Sequence, residues 1–541
     1  MSMENKPLLS PPSLSPEFCR RLVWVAALLV AGYGLCLSLG SNAGFPESMR
    51  YASKMPYLAD KPLGEDAFYM MHVAWNLASG RGPVCNEGQV VTGFQPLTTL
   101  VYAGLAWVDL RAGGDVWTFL RLVLLFNVLL LLVFAALVGN IAATLSKHRK
   151  YAAYCLGFLL SVFGFMAFSY FTYGLETGMY LTALAAIMLF SLRHIPFHTW
   201  REVVAFGLLG GGCGWCRIDF GICFAVFLLA MLLGRVMTLK QCLVSGGVAL
   251  LVIAPWFAWV YSVSGSAMPS SGIVESGWMR WDTAGARLTV MGWSLVENLA
   301  PWMYAADRWP LKAVKALSLL ACLVALFAGR RHMRGALCGG RVWLGWVLAI
   351  SALAPVYLLC FWSMHFYGRY TSPLLIVASA FFAAAGVELA AGVLGSRKGL
   401  LATGLLLCCV FAALAVGTFH NHRSRNGFSV TAGFVRQNLS HLKHVGAFQS
   451  GTIGFFNPNV VNLDGKVNAA VQPFRLQGKM TEYIDQAGID AIVDWSWVIR
   501  IFVPDPWLEK GWSLSTQNLH SVICECYLRR SNSAAADAAG H

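Results

Sequence analysis

The sequence predicts a polytopic α-helical membrane protein with a small α/β domain at its C-terminal end, and three observations lead there. Hydrophobic residues make up 57% of the 541 residues and charged residues only 12%, about half the charged share of a soluble domain. The apolar residues gather into about eleven runs near the length needed to cross a bilayer. Basic residues fall in every second connection between those runs. The composition excludes a disordered chain, which is poor in aromatics, and a string of soluble domains, whose surfaces cannot be this apolar.

Residues 1–21 are Ser/Pro-rich and are expected to be a disordered cytoplasmic tail. No clear signal-peptidase site follows the first apolar run, so 22–40 is expected to stay in place as an anchor. Further spans are expected near 117–145, 151–171, 174–192, 202–217, 219–234, 241–263, 311–329, 342–361, 371–394 and 399–419. The stretch 202–234 reads either as two short helices or as one hairpin broken at Arg217-Ile218-Asp219. The positive-inside rule assigns to the cytoplasm the connections marked by Arg20 and Arg21, by Lys147, Arg149 and Lys150, by Arg193 and Arg201, by Arg235 and Lys240, by Arg330, Arg331, Arg334 and Arg341, and by Arg397 and Lys398. The net charge of +14 is then a property of cytoplasmic loops, and no basic, aromatic-interleaved segment points to nucleic acid. Segments 41–116, 264–310, 362–370 and everything after 420 are left on the extracytoplasmic face of a bacterial inner or plasma membrane, where function is expected.

Most of the fifteen cysteines lie inside apolar runs and read as small hydrophobes. Cys213 and Cys216 form a CxxC without a second pair or a polar pocket, so core packing is expected of them. Only Cys85, Cys524 and Cys526 are placed where a disulfide can form. In 420–530, VGAFQSGTIGFF, VVNLDG and DAIVDW read as short strands and 428–440 and 475–487 as helices, the pattern of a small α/β domain. Residues 531–541 are expected to be a frayed tail.

The richest polar stretch is the first outer loop, LGEDAFYMMHVAWNLASGRGPVCNEGQVVTGFQPLTTL. Phe68, Met71, Trp75 and Ala78 recur at helical spacing and Gly80 ends the run, which predicts an amphipathic helix on the membrane surface. Glu65 and Asp66 open it. Either Asp66 caps the helix, or the acidic pair does chemistry.

This loop resembles the first periplasmic loop of the GT-C glycosyltransferases, integral membrane enzymes that use polyprenyl-phosphate-linked sugars. The resemblance is carried by Glu65-Asp66-Ala67-Phe68-Tyr69, Asn76 to Gly82, Asn86 and Gly93 to Leu97, and is extended by Tyr173 to Gly178, by Arg217-Ile218-Asp219 and by Tyr367-Gly368-Arg369-Tyr370. The tail segment 445–468, with VNLDGKVN, is similar to the soluble extension of the bacterial arabinofuranosyltransferase-like branch. That branch usually has two aspartates where this chain has Glu65-Asp66. The resemblance implies a GT-C-like catalytic domain over 22–419 and an inverting transfer of sugar from a polyprenyl-phosphate donor to a glycan or lipid-linked acceptor. Such a reaction needs a carboxylate to take the acceptor's proton and a cation to hold the leaving phosphate. Asp66, with Glu65 beside it, is the expected base. Arg369 and Arg217 are the expected phosphate ligands, because the guanidinium fork binds phosphate through two bonds. Tyr69, His72, Glu176 and Asp219 complete the expected substrate site. The cofactor is left open: a divalent cation is compatible with the chemistry, but one carboxylate pair is too few ligands to cage one. The competing readings are a lipid or solute transporter, which usually shows internal repeats and mid-membrane charges, and a non-catalytic glycan-binding membrane protein.

Overall fold

The computed structural model describes residues 14–40, 58–85, 89–303, 309–330, 337–338, 340–391, 393–420, 427–517 and 524–530. Several expectations fall outside these residues: most of the N-terminal tail, Asn86, Arg331, Arg334 and the tail beyond 530.

Among the described residues, six helices are long and apolar enough to cross a membrane. They are α1 (Pro16–Ser38), α4 (Val116–Leu145), α10 (Leu239–Ser264), α13 (Trp309–Ala328), the segment Gly340–Cys360, and α18 (Arg397–Phe419). Two bent pairs raise the number to eight if each is one span: α5 (Lys150–Val162) with α6 (Phe165–Thr172), and Met364–Tyr370 with α17 (Leu374–Leu389). The second pair contains the short helix α16 (Tyr367–Tyr370). The remaining apolar runs form shorter helices, α7 (Thr177–His194), α8 (Trp200–Cys216) and α9 (Phe220–Leu233). Helices α8 and α9 are separate, broken at Arg217-Ile218-Asp219, which decides the ambiguity of 202–234. Cys213 and Cys216 are buried in α8.

The loop expected outside, 41–116, holds two helices, α2 (Glu65–Ala78) and α3 (Pro96–Arg111); the sequence reading anticipated only the first. Helix α2 is not a surface helix. Ala67 through Met71, Val73, Ala74 and Asn76 are buried, because α2 lies between the membrane bundle and the C-terminal domain. Phe68 packs on Phe455 and Phe456, with ring centroids 5.2 and 5.9 Å apart, and Trp117 of the bundle stacks on Phe456 at 5.1 Å. Between α10 and the end of the bundle, 264–310 adds α11 (Ser270–Glu275) and α12 (Ala284–Leu299).

The C-terminal domain is a five-stranded sheet in the order β2-β1-β3-β5-β4. Strand β1 (Val445–Ala447) pairs in parallel with β2 (Val460–Asn462) and β3 (Ala491–Trp495), while β5 (Cys524–Arg529) runs antiparallel to β3 and β4 (Trp512–Gln517). Separate apolar cores cover its two faces. The expected strand VGAFQSGTIGFF ends at Ala447, and Gly451–Phe456 is a helix, α20; its Ile453 packs on the sheet and its Phe455 and Phe456 meet α2. The expected helix 475–487 is broken at Gly478, whose φ is +69°. All fifteen cysteines are free, so Cys85, Cys524 and Cys526 form no bridge; the last two are buried beside β3.

Candidate functional site

Helix α2 begins at Gly64, which caps it without any side-chain hydrogen bond. The capping role for Asp66 is therefore set aside, and its carboxylate is free to point elsewhere. Gly64 is pressed into the turn before α7: its N–H donates to the Tyr173 carbonyl at 2.9 Å, and a Cβ there would lie 2.1 Å from the Tyr173 ring.

Asp66 Oδ2 accepts a hydrogen bond from Arg369 Nη1 at 3.1 Å, although the two residues are 303 positions apart. Arg369 sits in α16, held by a fully buried amide. Asn298 of α12 donates to the Gly368 carbonyl at 2.8 Å and to Thr371 Oγ1 at 2.9 Å, and Tyr170 OH donates to the same carbonyl at 2.8 Å. The guanidinium lies 4.4 Å from the Phe366 ring centre, and its Nε is buried without a hydrogen-bond partner.

A second cation comes from the C-terminal domain. Lys466 Nζ is 3.8 Å from Asp66 Oδ1, 3.2 Å from Glu275 Oε1 and 3.7 Å from Asp464 Oδ2. Burial alone would raise the Asp66 pKa. The Lys466 and Arg369 charges, with a hydrogen bond from Glu65, outweigh it and hold Asp66 below the ordinary carboxylate range. Glu65 goes the other way. Burial, then the charge of Asp66, pushes it well above that range and favours its protonated form. Its Oε1 accepts the Gly451 N–H at 2.6 Å, and Tyr69 OH accepts the Ser450 N–H at 3.0 Å, so both tie α2 to the start of α20. His72 lies one turn on, edge-to-face with Phe455; burial, then Arg81, lowers its pKa to about 4, so it stays uncharged at neutral pH and offers no charge to a phosphate.

The other expected residues form a neighbouring cluster. Arg217, at the end of α8, donates to both carboxylate oxygens of Asp219, at 3.1 and 2.9 Å, and to Tyr357 OH at 3.0 Å. Tyr357 in turn donates to Asp219. Glu176, preceding α7, lies 3.9 Å from Arg217. Tyr370 joins the two clusters: Tyr357 stacks on it at 4.3 Å and 4°, and the Arg217 and Arg369 guanidinium carbons lie 4.7 and 5.3 Å from its ring centre.

Glu65, Asp66 and Arg369 thus meet in one cluster, Arg217, Asp219 and Glu176 in the next, and Tyr69 and His72 face the C-terminal domain. Sequence reasoning missed Lys466, Glu275, Asp464, Tyr357 and the bridging role of Tyr370. Lys466 and Asp464 were visible only as polar residues inside VNLDGKVN, and Glu275 as a lone acid in a long outer loop. Among the described residues, no group of three or more His, Cys, Asp or Glu side chains is arranged to hold a metal ion.

The architecture is a bundle of apolar helices topped by a soluble sheet domain, with the acidic pair at the start of α2 between them. Sequence comparison finds no matching family and no matching curated protein. Among solved structures, the chain is similar to ArnT from Cupriavidus metallidurans in its apo state, with a TM-score of 0.58 at 13% identity, covering 94% of this chain and 98% of that one. It is equally similar to the same protein bound to undecaprenyl phosphate, with a TM-score of 0.57 at 13% identity over 95% and 98% of the two chains.

Proposed function

We propose that this protein is a membrane glycosyltransferase that moves a sugar from a polyprenyl-phosphate donor to an acceptor hydroxyl, with inversion, on the extracytoplasmic face. The observation that carries the reading is the Asp66–Arg369 contact. Two residues chosen for different halves of one reaction, a carboxylate for the incoming hydroxyl and a guanidinium for the leaving phosphate, stand 3.1 Å apart. The undecaprenyl phosphate bound to the ArnT neighbour supports the lipid-phosphate half.

In this reading the resting pair is also a device for basicity. While Arg369 is bound to Asp66, the carboxylate is a weak base. When the donor phosphate draws the guanidinium away, Asp66 loses a cationic partner and its proton affinity rises. The acceptor hydroxyl then gives its proton to Asp66 as its oxygen attacks the anomeric carbon, and the bond from that carbon to the phosphate oxygen breaks. The departing phosphate keeps the electron pair and needs no proton, because Arg369 neutralises it. The N-terminus lies in the cytoplasm and the C-terminal domain outside; a reporter fused after residue 420 is expected to be active only in the oxidising compartment.

The test is turnover of a synthetic polyprenyl-phosphate sugar by Asp66→Asn in detergent. Loss of a general base is expected to lower kcat on the order of 10²-fold or more, with the thermal transition kept. Glu65→Gln is expected to cost less. A larger loss from Glu65→Gln would reverse the two roles, and unchanged turnover in both would remove the carboxylates from the chemistry.

A further inference from the structure

Lys466 is placed with more precision than a surface lysine needs. An ammonium has three N–H donors, and three carboxylates from three segments surround it: Asp66 from the first outer loop, Glu275 from the second and Asp464 from the C-terminal domain. Its backbone is fixed on both sides. The Lys466 N–H donates to Asp464 Oδ1 at 2.8 Å, and its carbonyl accepts from Ser270 Oγ at 2.7 Å. The same carbonyl lies where Gly93 would carry a Cβ, 2.1 Å away, so the glycine of the Gly93–Leu97 run is what lets the three segments close together. Phe366 covers the ammonium, with its ring centre 5.0 Å from Nζ. Glu275 is pinned in turn by a hydrogen bond from Ser363 and by the pairing of Ser276 with Phe361.

We infer that Lys466 is the resident cation of this site, a positioning residue supplied by the C-terminal domain that takes the place of a divalent metal ion in balancing the three carboxylates, so that turnover needs no metal. The inference rests on the transferase reading for its part in turnover, while the place of the ammonium among the carboxylates stands on geometry alone. A divalent ion binds carboxylate oxygens at about 2.0–2.6 Å. Asp66, Glu275 and Asp464 each turn one oxygen to Nζ at 3.2–3.8 Å rather than to a common ion, and a fixed positive charge at their centre repels a second cation. The ammonium also lies beside the Asp66–Arg369 pair, and when Arg369 turns to the phosphate it is the charge left to keep Asp66 ionised. The C-terminal domain is therefore part of the site rather than an appended module.

The experiment uses the full chain in detergent, with wild type, Lys466→Ala and the double variant Lys466→Ala/Asp464→Asn, which keeps a smaller uncompensated charge in case the single variant fails to fold. Mn²⁺ binding is measured by its paramagnetic resonance signal, and sugar transfer is measured with and without EDTA. Wild type is expected to bind no Mn²⁺ at the site and to turn over unchanged in EDTA. Lys466→Ala is expected to lose turnover on the order of 10²-fold and to bind Mn²⁺ about tenfold or more tightly than wild type, because the three carboxylates, freed of the ammonium, can close on the ion. Added Mn²⁺ is expected to restore part of its turnover. Inhibition of wild type by EDTA with recovery in Mn²⁺, or Mn²⁺ binding no tighter in either variant than in wild type, overturns the inference. If the binding difference is found and no form transfers sugar, the transferase reading falls and the place of the ammonium among the carboxylates remains.

Discussion

Arg217 and Arg369 flank the same tyrosine ring, Tyr370, and differ in what each leaves for a ligand. Arg217 is enclosed, with its side chain 3% exposed; its Nε and Nη2 are bonded to Asp219 and Tyr357, and its Nη1, buried without a hydrogen-bond partner, faces Glu176 at 3.9 Å. Arg369 is 17% exposed. It makes one strong bond, to Asp66, and a long one of 3.5 Å to Tyr370 OH. Two arginines that look alike in the sequence are thus expected to divide the work: Arg217 holds the outer ends of α7, α8 and the 353–360 helix together, and Arg369 exchanges partners. A guanidinium enclosed among carboxylates is a structural keystone, because removing it strands their charge. A partly exposed one with a single strong partner can meet a ligand without breaking the fold.

The comparison breaks first at Arg217. Arg217→Ala is expected to destabilise the protein by about 3–5 kcal/mol, the cost of leaving a buried partner charge unpaired, read as a lower thermal transition in detergent. If instead the fold is untouched and only donor use is lost, Arg217 is the phosphate ligand and the roles exchange. Next in size, Arg369→Ala is expected to weaken donor use on the order of 10- to 100-fold, the worth of a charged hydrogen bond, with a much smaller effect on melting. Arg369→Lys should fall between, since it keeps the charge and loses the fork; equal loss in Lys and Ala would mean that geometry matters and charge does not.

A smaller effect concerns the contact that keeps the C-terminal domain beside Arg369. A Cβ on Gly451 would lie 2.2 Å from the Glu65 carbonyl oxygen, a backbone atom that cannot yield. Gly451→Ala is expected to cost about 1–3 kcal/mol as an overpacked contact and to raise hydrogen exchange in α2 and α20 while sparing α4. Exchange that rises evenly through the bundle would mean that α2 docking is not a separate unit.

The smallest effect is a dependence on pH with opposite signs for the two neighbouring carboxyls. Glu65 has a folded pKa raised above its unfolded value near 4.3. Its contribution is present below that unfolded value and is lost as pH rises through the folded one. Asp66 has a lowered folded pKa; its contribution is present above its unfolded value and lost as pH falls through the folded one. Docking of α20 on α2 is therefore expected to weaken as pH rises in wild type, and Glu65→Gln, a permanent neutral acceptor for Gly451, should flatten that limb of the melting profile. An unchanged limb in Glu65→Gln would assign it to another group.

What the sequence by itself determined follows from local rules. Apolar runs of spanning length specify membrane helices because lipid leaves the backbone no other partner. The break at Arg217-Ile218-Asp219 and the start of α2 at Glu65 were likewise readable from neighbouring residues, and so was the candidacy of Asp66 and Arg369, from the resemblance of their segments and their expected outer position. The failures are all long-range. TIGFF alternates well enough for a strand, yet it is a helix because its phenylalanines are buried against Phe68 and Trp117, more than 300 residues away. Helix α2 reads as a surface helix until the C-terminal domain covers its far side. Lys466, Glu275 and Asp464 are ordinary charges in their own segments, and no local spacing relates them. Only folding sets three carboxylates around one ammonium, because their mutual attraction depends on distances of 3.2–3.8 Å between parts of the chain whose separation no sequence pattern records.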